Sequence, residues 1–207
     1  IPSRLPQASQ RLDLDGTVAV VTETSAGGLS MTARAEVIER FGRPLCRLHF
    51  QAHADAPAWL VVSLRPYNPE GISFVHHIIQ RGTKPGWCID TRRLIGFSRR
   101  PNRTGFSHYR EGDIFRLLPD VNGTNEVRSE AGMATAAALF AVSPDKPCTV
   151  TVTVPLDRTL RRARRQVSAK RPTWEESLLG SCRLQVPDAR VQFLYEAALR
   201  SLILHTP

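Results

Sequence analysis

The chain has 207 residues, of which 42% are hydrophobic and 23% are charged, and its formal net charge is +9. These proportions are those of an ordinary globular protein, and they exclude a collagen-like chain, a long coiled coil and a mostly disordered chain. The apolar runs, such as residues 58–62, are too short to cross a bilayer as a helix, so the sequence predicts no membrane partner.

Most of the chain has the period-two pattern of β-strands. Residues 1–16 are an exception, because two prolines and little periodicity predict a lead-in or linker. In 30–38 and again in 46–53, apolar residues alternate with polar ones, which predicts strands with one buried and one wet face. The apolar stretch 59–64 predicts a strand covered on both faces. Further strands are predicted at 17–23, 71–80, 87–91, 94–98, 113–117, 133–142 and 148–154.

The order of these strands predicts the fold class. About nine strands without interleaved helices indicate a mainly β domain over residues 17–156, an antiparallel β-sandwich of two packed sheets. Segment 131–141 is rich in alanine and also has helix propensity, but Gly132 and the turn at Pro144 favour a strand. The predicted core includes Met31, Val37, Leu48, Phe50, Trp59, Val61, Val152 and Val154.

Residues 157–207 have a different pattern, which predicts a helical linker. Thr173 precedes Trp174 and two acids, as an N-cap precedes the first turn of a helix. The segment 188–205 is predicted to form a longer helix, because its apolar residues recur at the spacing of one helix face. Without a packing partner, this helix is expected to fold back onto the sandwich, to pair with the same helix of a second molecule, or to fray. The face consists of Val191, Leu194, Tyr195, Ala198, Leu199, Leu202 and Ile203.

No pattern in the sequence predicts a cofactor or a metal. The four cysteines form no CxxC pair and are interpreted as mostly buried thiols, without a disulfide framework. Together with the lack of a visible signal peptide, this favours the cytoplasm. His49, Gln51 and His53 share one strand face and could ligate a metal, but a solvated polar face is the favoured interpretation.

Paired carboxylates are the catalytic signature of glycosidases, and three pairs are close in sequence. The first lies in the lead-in, the second flanks a glycine turn, and the third is explained by first-turn helix chemistry. The sequence therefore predicts no catalytic residue in this chain. The pairs are Asp13 with Asp15, Glu111 with Asp113, and Glu175 with Glu176.

The most unusual segment is the string Arg-Pro-Tyr-Asn-Pro-Glu-Gly at 65–71, which follows the apolar strand. Two prolines fix the backbone and the final glycine permits a positive φ, so the segment predicts a rigid corner. An arginine that ends a buried strand must keep its charge paired or solvated, so Arg65 is expected to have polar partners, with Glu70 a candidate. The alternative is a site for a saccharide or a neighbouring domain, formed by Arg65, Tyr67, Asn68 and Glu70, with Trp87 as a further candidate.

Two parts of the chain resemble bacterial glycogen-debranching enzymes and related six-hairpin glycosidases. One is the 65–71 corner after its buried strand. The other is the order of a final strand at 148–155, a helix with Trp174 and Leu178, and a Val-Pro-Asp at 186–188 that begins a second helix. The matching residues of that second helix are Gln192, Leu194, Tyr195, Ala198 and Leu199. In this family a β-supersandwich precedes an (α/α)6 catalytic barrel, which supplies the catalytic carboxylates.

The resemblance implies that this chain is the non-catalytic N-terminal β-sandwich domain of a glycoside hydrolase acting on an α-glucan or a related saccharide. Residues 157–207 would then be the helical linker and the first helix of a truncated barrel. The domain's partner would be its own catalytic domain, absent from this chain, and the catalytic residues would lie beyond Pro207.

Two alternatives remain open at this stage. The first is a stand-alone carbohydrate-binding sandwich, whose platform would need Tyr67, Trp87 and Tyr109 exposed and coplanar. The second is nucleic-acid binding through the basic stretch 158–171. It is not favoured, because 25 of the 28 basic residues are arginine, a skew that a GC-rich genome produces for any function.

Overall fold

The computed structural model describes residues 8–14, 17–68, 71–80, 82, 85–90, 93–120, 123–156 and 173–205. Fourteen strands, three α-helices and one short 3₁₀ helix, Leu118–Asp120, lie in this part of the chain. The strands are β1 Ala8–Asp13, β2 Ala19–Ala26, β3 Leu29–Arg40, β4 Arg43–Ala54, β5 Ala58–Leu64, β6 Tyr67–Asn68, β7 Gly71–Ile72, β8 His77–Ile79, β9 Gly86–Ile89, β10 Arg93–Phe97, β11 Arg103–Ser107, β12 Glu126–Arg128, β13 Thr135–Val142 and β14 Cys148–Pro155. The helices are α1 Ile114–Leu117, α2 Trp174–Ser177 and α3 Ala189–His205.

The strands form two packed antiparallel sheets, so the predicted mainly β sandwich is confirmed. The large sheet has nine strands in the order β1-β2-β3-β4-β14-β10-β9-β8-β12, and the small sheet has three in the order β11-β13-β5. The short strands β6 and β7 form a separate hairpin. Among the described residues, no helix is long and apolar enough to cross a membrane.

The core lies between the two sheets and is built on aromatic contacts. Trp87 meets the ring of Phe97 edge-on at 4.9 Å between centroids, and Phe97 meets Phe140 at 5.8 Å. Ile78, Phe140 and Val150 are completely enclosed. Burying side chains of this size contributes about 1.5–3 kcal/mol each, so this layer supplies much of the stability.

Strand β13 is buried on both faces, which explains its continuous apolar sequence. One face contributes Ala136, Ala138 and Phe140 to the core between the sheets. On the other face, Ala137 and Leu139 pack against Ile114 of α1, which covers the small sheet from outside. The strand predicted for the alanine-rich segment is therefore confirmed, because enclosure between two layers outweighs helix propensity.

The predicted core is partly wrong. Val152 is buried, and Met31, Leu48, Phe50 and Val154 are half-buried against the core. Val61 packs on the outer face of the small sheet, against the group that contains Ile114.

The side chains of Val37 and Trp59, however, are 57% and 45% exposed. Three strands cannot cover nine, so much of the β1–β3 side of the large sheet has no opposing layer, and Val37 lies there near the tip of the long β3–β4 hairpin. Trp59 lies on the edge strand β5, beneath the guanidinium of Arg103.

Two predicted segments adopt other structures. Part of the predicted lead-in is β1, which pairs along its whole length with β2 at the edge of the large sheet. The strand predicted at 113–117 is the short helix α1, because the Asp113 side chain accepts a hydrogen bond from the Phe115 backbone and caps a helical turn.

The outer face of the large sheet carries a buried carboxylate, Glu36, which is compensated by its neighbours. Its two oxygens accept hydrogen bonds from the Thr17 hydroxyl at 2.7 Å and from Arg47 Nε at 2.8 Å, and Arg34 lies 3.8 Å away. Burial raises the pKa of Glu36, but the Thr17 hydroxyl and the two arginines together outweigh burial, so its pKa lies below the ordinary 4.5. The carboxylate is therefore ionised at neutral pH and ties β3 to β4.

The helical predictions for the C-terminal region are confirmed where it is described. Thr173 accepts a hydrogen bond from the Glu176 backbone, and the Glu176 side chain accepts one from the Thr173 backbone, which is a complete capping box. The helix predicted over 188–205 is α3, whose first turn is capped by Asp188 through the backbone of Arg190 and Val191. The basic stretch 158–171 lies outside the described residues.

Candidate functional site

The loops that follow β5 and β11 meet at one end of the small sheet. In the register of that sheet, Leu64 at the end of β5 is opposite Ala136, and Ser107 at the end of β11 is opposite Thr135. Strands β5 and β11 lie on either side of β13. The corner that begins at Arg65 and the loop 108–113 therefore leave the sheet side by side. We call the side chains gathered there the corner site.

Arg65 is the centre of the corner site. Its Nε and Nη2 both lie 2.8 Å from Asp113 Oδ2, and Nη2 also donates to the Tyr67 hydroxyl. The guanidinium lies 4.4 Å from the centroid of the Tyr67 ring, a cation–π contact. The prediction that Arg65 has polar partners is therefore confirmed.

Asp113 uses both of its carboxylate oxygens for structure. Oδ2 accepts from Arg65, and Oδ1 accepts from the Phe115 backbone at 2.8 Å to cap α1. A carboxylate committed on both sides has no oxygen directed at a substrate. Asp113 therefore acts as a brace between the 65–71 corner and the helix that covers the small sheet.

Glu111, the other member of that pair, lies on the exposed side of the loop. The buried Ser107 hydroxyl is 2.7 Å from the Gly112 carbonyl oxygen and 3.3 Å from Glu111 Oε2. His108 Nε2 is 3.8 Å from Glu111 Oε1. These contacts hold the loop in shape.

The other carboxylate pairs have structural partners as well. Asp13 binds Arg34 across the strands, and Asp15 lies outside the described residues. Glu175 and Glu176 lie in the first turn of α2, as predicted. The described members of the three pairs therefore have structural contacts, and Asp13 also lines a small cavity together with Glu196 of α3.

The structure separates Trp87 from the other candidate residues. Tyr67 and Tyr109 are 37% and 49% exposed, but Trp87 is 1% exposed and packs between Phe97 and Phe106 in the core. The prediction that Trp87 contributes to a binding surface is therefore wrong, and the three-aromatic sugar platform does not form. Asn68 lies in β6, while its side chain and Glu70 fall outside the described residues.

The histidines have ordinary hydrogen-bond partners. His49 Nδ1 lies 3.0 Å from the Thr151 hydroxyl on β14, and His53 Nε2 lies 3.2 Å from the Gln51 amide nitrogen. His77 pairs with Glu126 at 2.8 Å, and its neighbour His76 is exposed. Among the described residues, no group of three or more His, Cys, Asp or Glu side chains is arranged to hold a metal ion.

Comparison with known proteins gives no relative. No family model, no curated protein and no solved structure matches the chain.

Proposed function

We propose that this chain is the non-catalytic β-sandwich domain of a glycoside hydrolase that acts on an α-glucan or a related saccharide. The sandwich supports a helical catalytic domain, which packs on α3 and supplies the catalytic carboxylates. The proposal rests on the sequence resemblance at the 65–71 corner and the C-terminal helices, on the structural contacts of Asp113, and above all on the exposed face of α3. The four unpaired cysteines agree with a cytoplasmic location.

The exposed face of α3 is the observation that carries the proposal. Leu194, Leu202 and Leu204 are 64–68% exposed, and Val191, Phe193 and Ile203 are 37–47% exposed. The start of α3 lies beside β1, where Ala189, Gln192 and Phe193 line a small cavity with residues 11–14. Most of the apolar face therefore points away from the sandwich, and apolar patches of this kind mark interaction surfaces. A neighbouring helix of a barrel would cover it.

The corner site has a supporting part in this proposal. The Arg65–Asp113 pair fixes the corner to α1, and it leaves Tyr67 and Tyr109 partly exposed on the same end of the small sheet. A rigid end of this kind can rim the cleft of an adjoining catalytic domain without taking part in the chemistry.

We expect the isolated chain to self-associate through α3 in place of the missing partner. The double substitution Leu194→Asp/Leu202→Asp places charges on the exposed face, so it should convert the associated species to a monomer and reduce the binding of an apolar fluorescent dye. Sedimentation velocity measures the association, and dye fluorescence measures the exposed apolar surface.

The matched control is Gln185→Asp, which adds a negative charge at an exposed polar position just before α3 and off its apolar face. This variant should associate as the unmodified chain does. A monomeric chain whose dye binding does not change on the double substitution would contradict the proposal, because α3 would then need no partner.

A further inference from the structure

A cleft runs along β5 and reaches Arg65 of the corner site at one end. It has a volume of about 1010 Å³ and lies between the inner face of β1–β4 and the edge of the small sheet. Met31, Ala33 and Phe50 form its floor, and Leu60 and Val61 of β5 form its wall. The cleft exists because the small sheet ends at β5 while the large sheet continues beneath it for several more strands. We call it the β5 cleft.

The wall of the β5 cleft is an open strand edge. Among the described strands, β5 pairs only with β13, so one side of its backbone presents N–H and C=O groups without partners in the sheet. Its sequence, Ala-Trp-Leu-Val-Val-Ser-Leu, contains no charge and no proline. Exposed edges are normally protected by such residues, so an unprotected apolar edge is suited to pairing with another strand.

A buried hydroxyl inside the cleft also lacks a partner. Thr24 lines the cleft from β2 and is only 8% exposed, and its Oγ1 has no hydrogen-bond partner. Buried polar groups are nearly always satisfied, so this hydroxyl offers a hydrogen-bonding position to a group bound in the cleft. A bound segment that presents a polar atom there would satisfy it.

The charged groups at the cleft favour an uncharged ligand. Arg65 lines the cleft, but its guanidinium is already paired with Asp113. His53 also lines the cleft, and its Nε2 lies 3.2 Å from the Gln51 amide nitrogen. The lining contains no aspartate or glutamate, so an uncharged extended segment matches it.

We propose that the β5 cleft binds an extended peptide segment of another polypeptide, which adds to β5 as a fourth strand of the small sheet. Its alternate side chains are apolar and pack on the floor formed by Met31, Ala33 and Phe50. Its side chains inside the cleft are uncharged. This mode of recognition derives affinity from main-chain hydrogen bonds and selectivity from alternate side-chain contacts. It does not depend on the saccharide proposal.

The open edge favours a peptide over an apolar chain such as an acyl group. An acyl chain would fill the cleft but would cover the free N–H and C=O groups of β5 without pairing them, and buried unpaired backbone groups are rare because they are costly. A peptide strand covers the same apolar surface and pairs these groups as well.

The test uses the whole chain and a defined probe, the peptide acetyl-Asp-Val-Thr-Val-Thr-Val-Asp-amide. Hydrogen exchange is followed with and without the peptide. We expect alternate backbone amides of residues 58–64 to exchange at least about tenfold more slowly in the complex, because each gains a hydrogen bond. Unchanged exchange at 58–64 with about 1 mM peptide, a concentration that reveals even weak binding, would overturn the proposal.

Two N-methylated peptides provide the matched control without altering the protein. Each peptide carries methyl groups on alternate backbone nitrogens. In the first peptide these nitrogens lie on one edge of the strand, and in the second they lie on the other edge. Strand addition predicts that one of them loses affinity by about tenfold or more while the other keeps it. If the two methylated peptides bound with equal affinity, binding would not involve main-chain pairing and the proposal would be overturned. It would also be overturned if residues 58–64 became protected from exchange without peptide as the protein concentration is raised.

The variant Thr24→Val tests the unsatisfied hydroxyl. It removes a polar group of nearly the same shape, so the chain should fold at least as stably as before. Affinity for the unmodified peptide should fall about fivefold, the loss expected for one net hydrogen bond. An unchanged affinity would remove Thr24 from the site, and with it the evidence that a bound polar group satisfies its hydroxyl.

Discussion

A Gly86→Ala variant is expected to lose about 3–5 kcal/mol of the free energy of unfolding, the range of severe single substitutions. Gly86 begins β9 with φ at 151°, a backbone conformation that L-residues rarely adopt. A Cβ atom there would lie 2.1 Å from the Ile95 carbonyl oxygen on the neighbouring strand β10. Because that obstacle is backbone, the two strands would have to separate next to Trp87, in the centre of the core. Urea unfolding followed by tryptophan fluorescence measures the loss.

The control is Gly82→Ala. No atom lies within 4 Å of the position that its Cβ would occupy, and its φ is not in the positive region. We expect a change within about 0.5 kcal/mol, as for a surface substitution without a special role. If Gly86→Ala were as mild as Gly82→Ala, the close approach of β9 and β10 would be wrong.

A double-mutant cycle on Arg65 and Asp113 is expected to show a coupling free energy of about 1–2 kcal/mol. Arg65→Ala alone should cost about 1–3 kcal/mol, because it leaves the mostly buried Asp113 carboxylate without its partner. Asp113→Ala should cost at least as much, since it also removes the cap of α1, which contributes about 1 kcal/mol. Unfolding free energies of the two single variants and the double variant give the coupling.

The exposed pair Arg11 and Glu23 is the matched cycle. Its nitrogen and oxygen lie 3.4 Å apart, but both side chains are more than half exposed. Pairs of this kind couple by less than about 0.5–1 kcal/mol. Equal coupling in the two cycles would show that Arg65 and Asp113 do not hold the corner to α1.

The sequence predicts the strands whose two faces differ clearly. The long strands β3 and β4 alternate polar and apolar residues over most of their length. After Thr135, β13 is apolar, because it is enclosed by a sheet and a helix. The edge strand β1 has the mostly polar sequence Ala-Ser-Gln-Arg-Leu-Asp, so nothing in it differs from a linker. Its strand conformation comes from pairing with β2, which is a tertiary effect.

The α1 segment shows where periodicity is ambiguous. The residues Ile-Phe-Arg-Leu fit a strand as well as a helix, and only a capping group decides between them. Asp113 directly before this run is an N-cap signal, and it could have been used to predict a helix.

The corner site could be predicted only in part. The position of Arg65 after an apolar strand predicts that it needs polar partners, and this is confirmed. Its partner Asp113 is 48 residues away, and their contact depends on which strands flank β13. The burial of Trp87 could not be predicted either. The short strand around it has no alternation of polar and apolar residues that would distinguish a buried aromatic side chain from an exposed one.

We propose that the catalytic carboxylates lie outside this chain, and the release of reducing sugar from glycogen and maltoheptaose measures whether they do. The purified chain should release no sugar above the background of a heat-denatured sample. Turnover by the chain that disappears on Glu111→Gln would overturn the proposal and would place an active site on the loop 108–113.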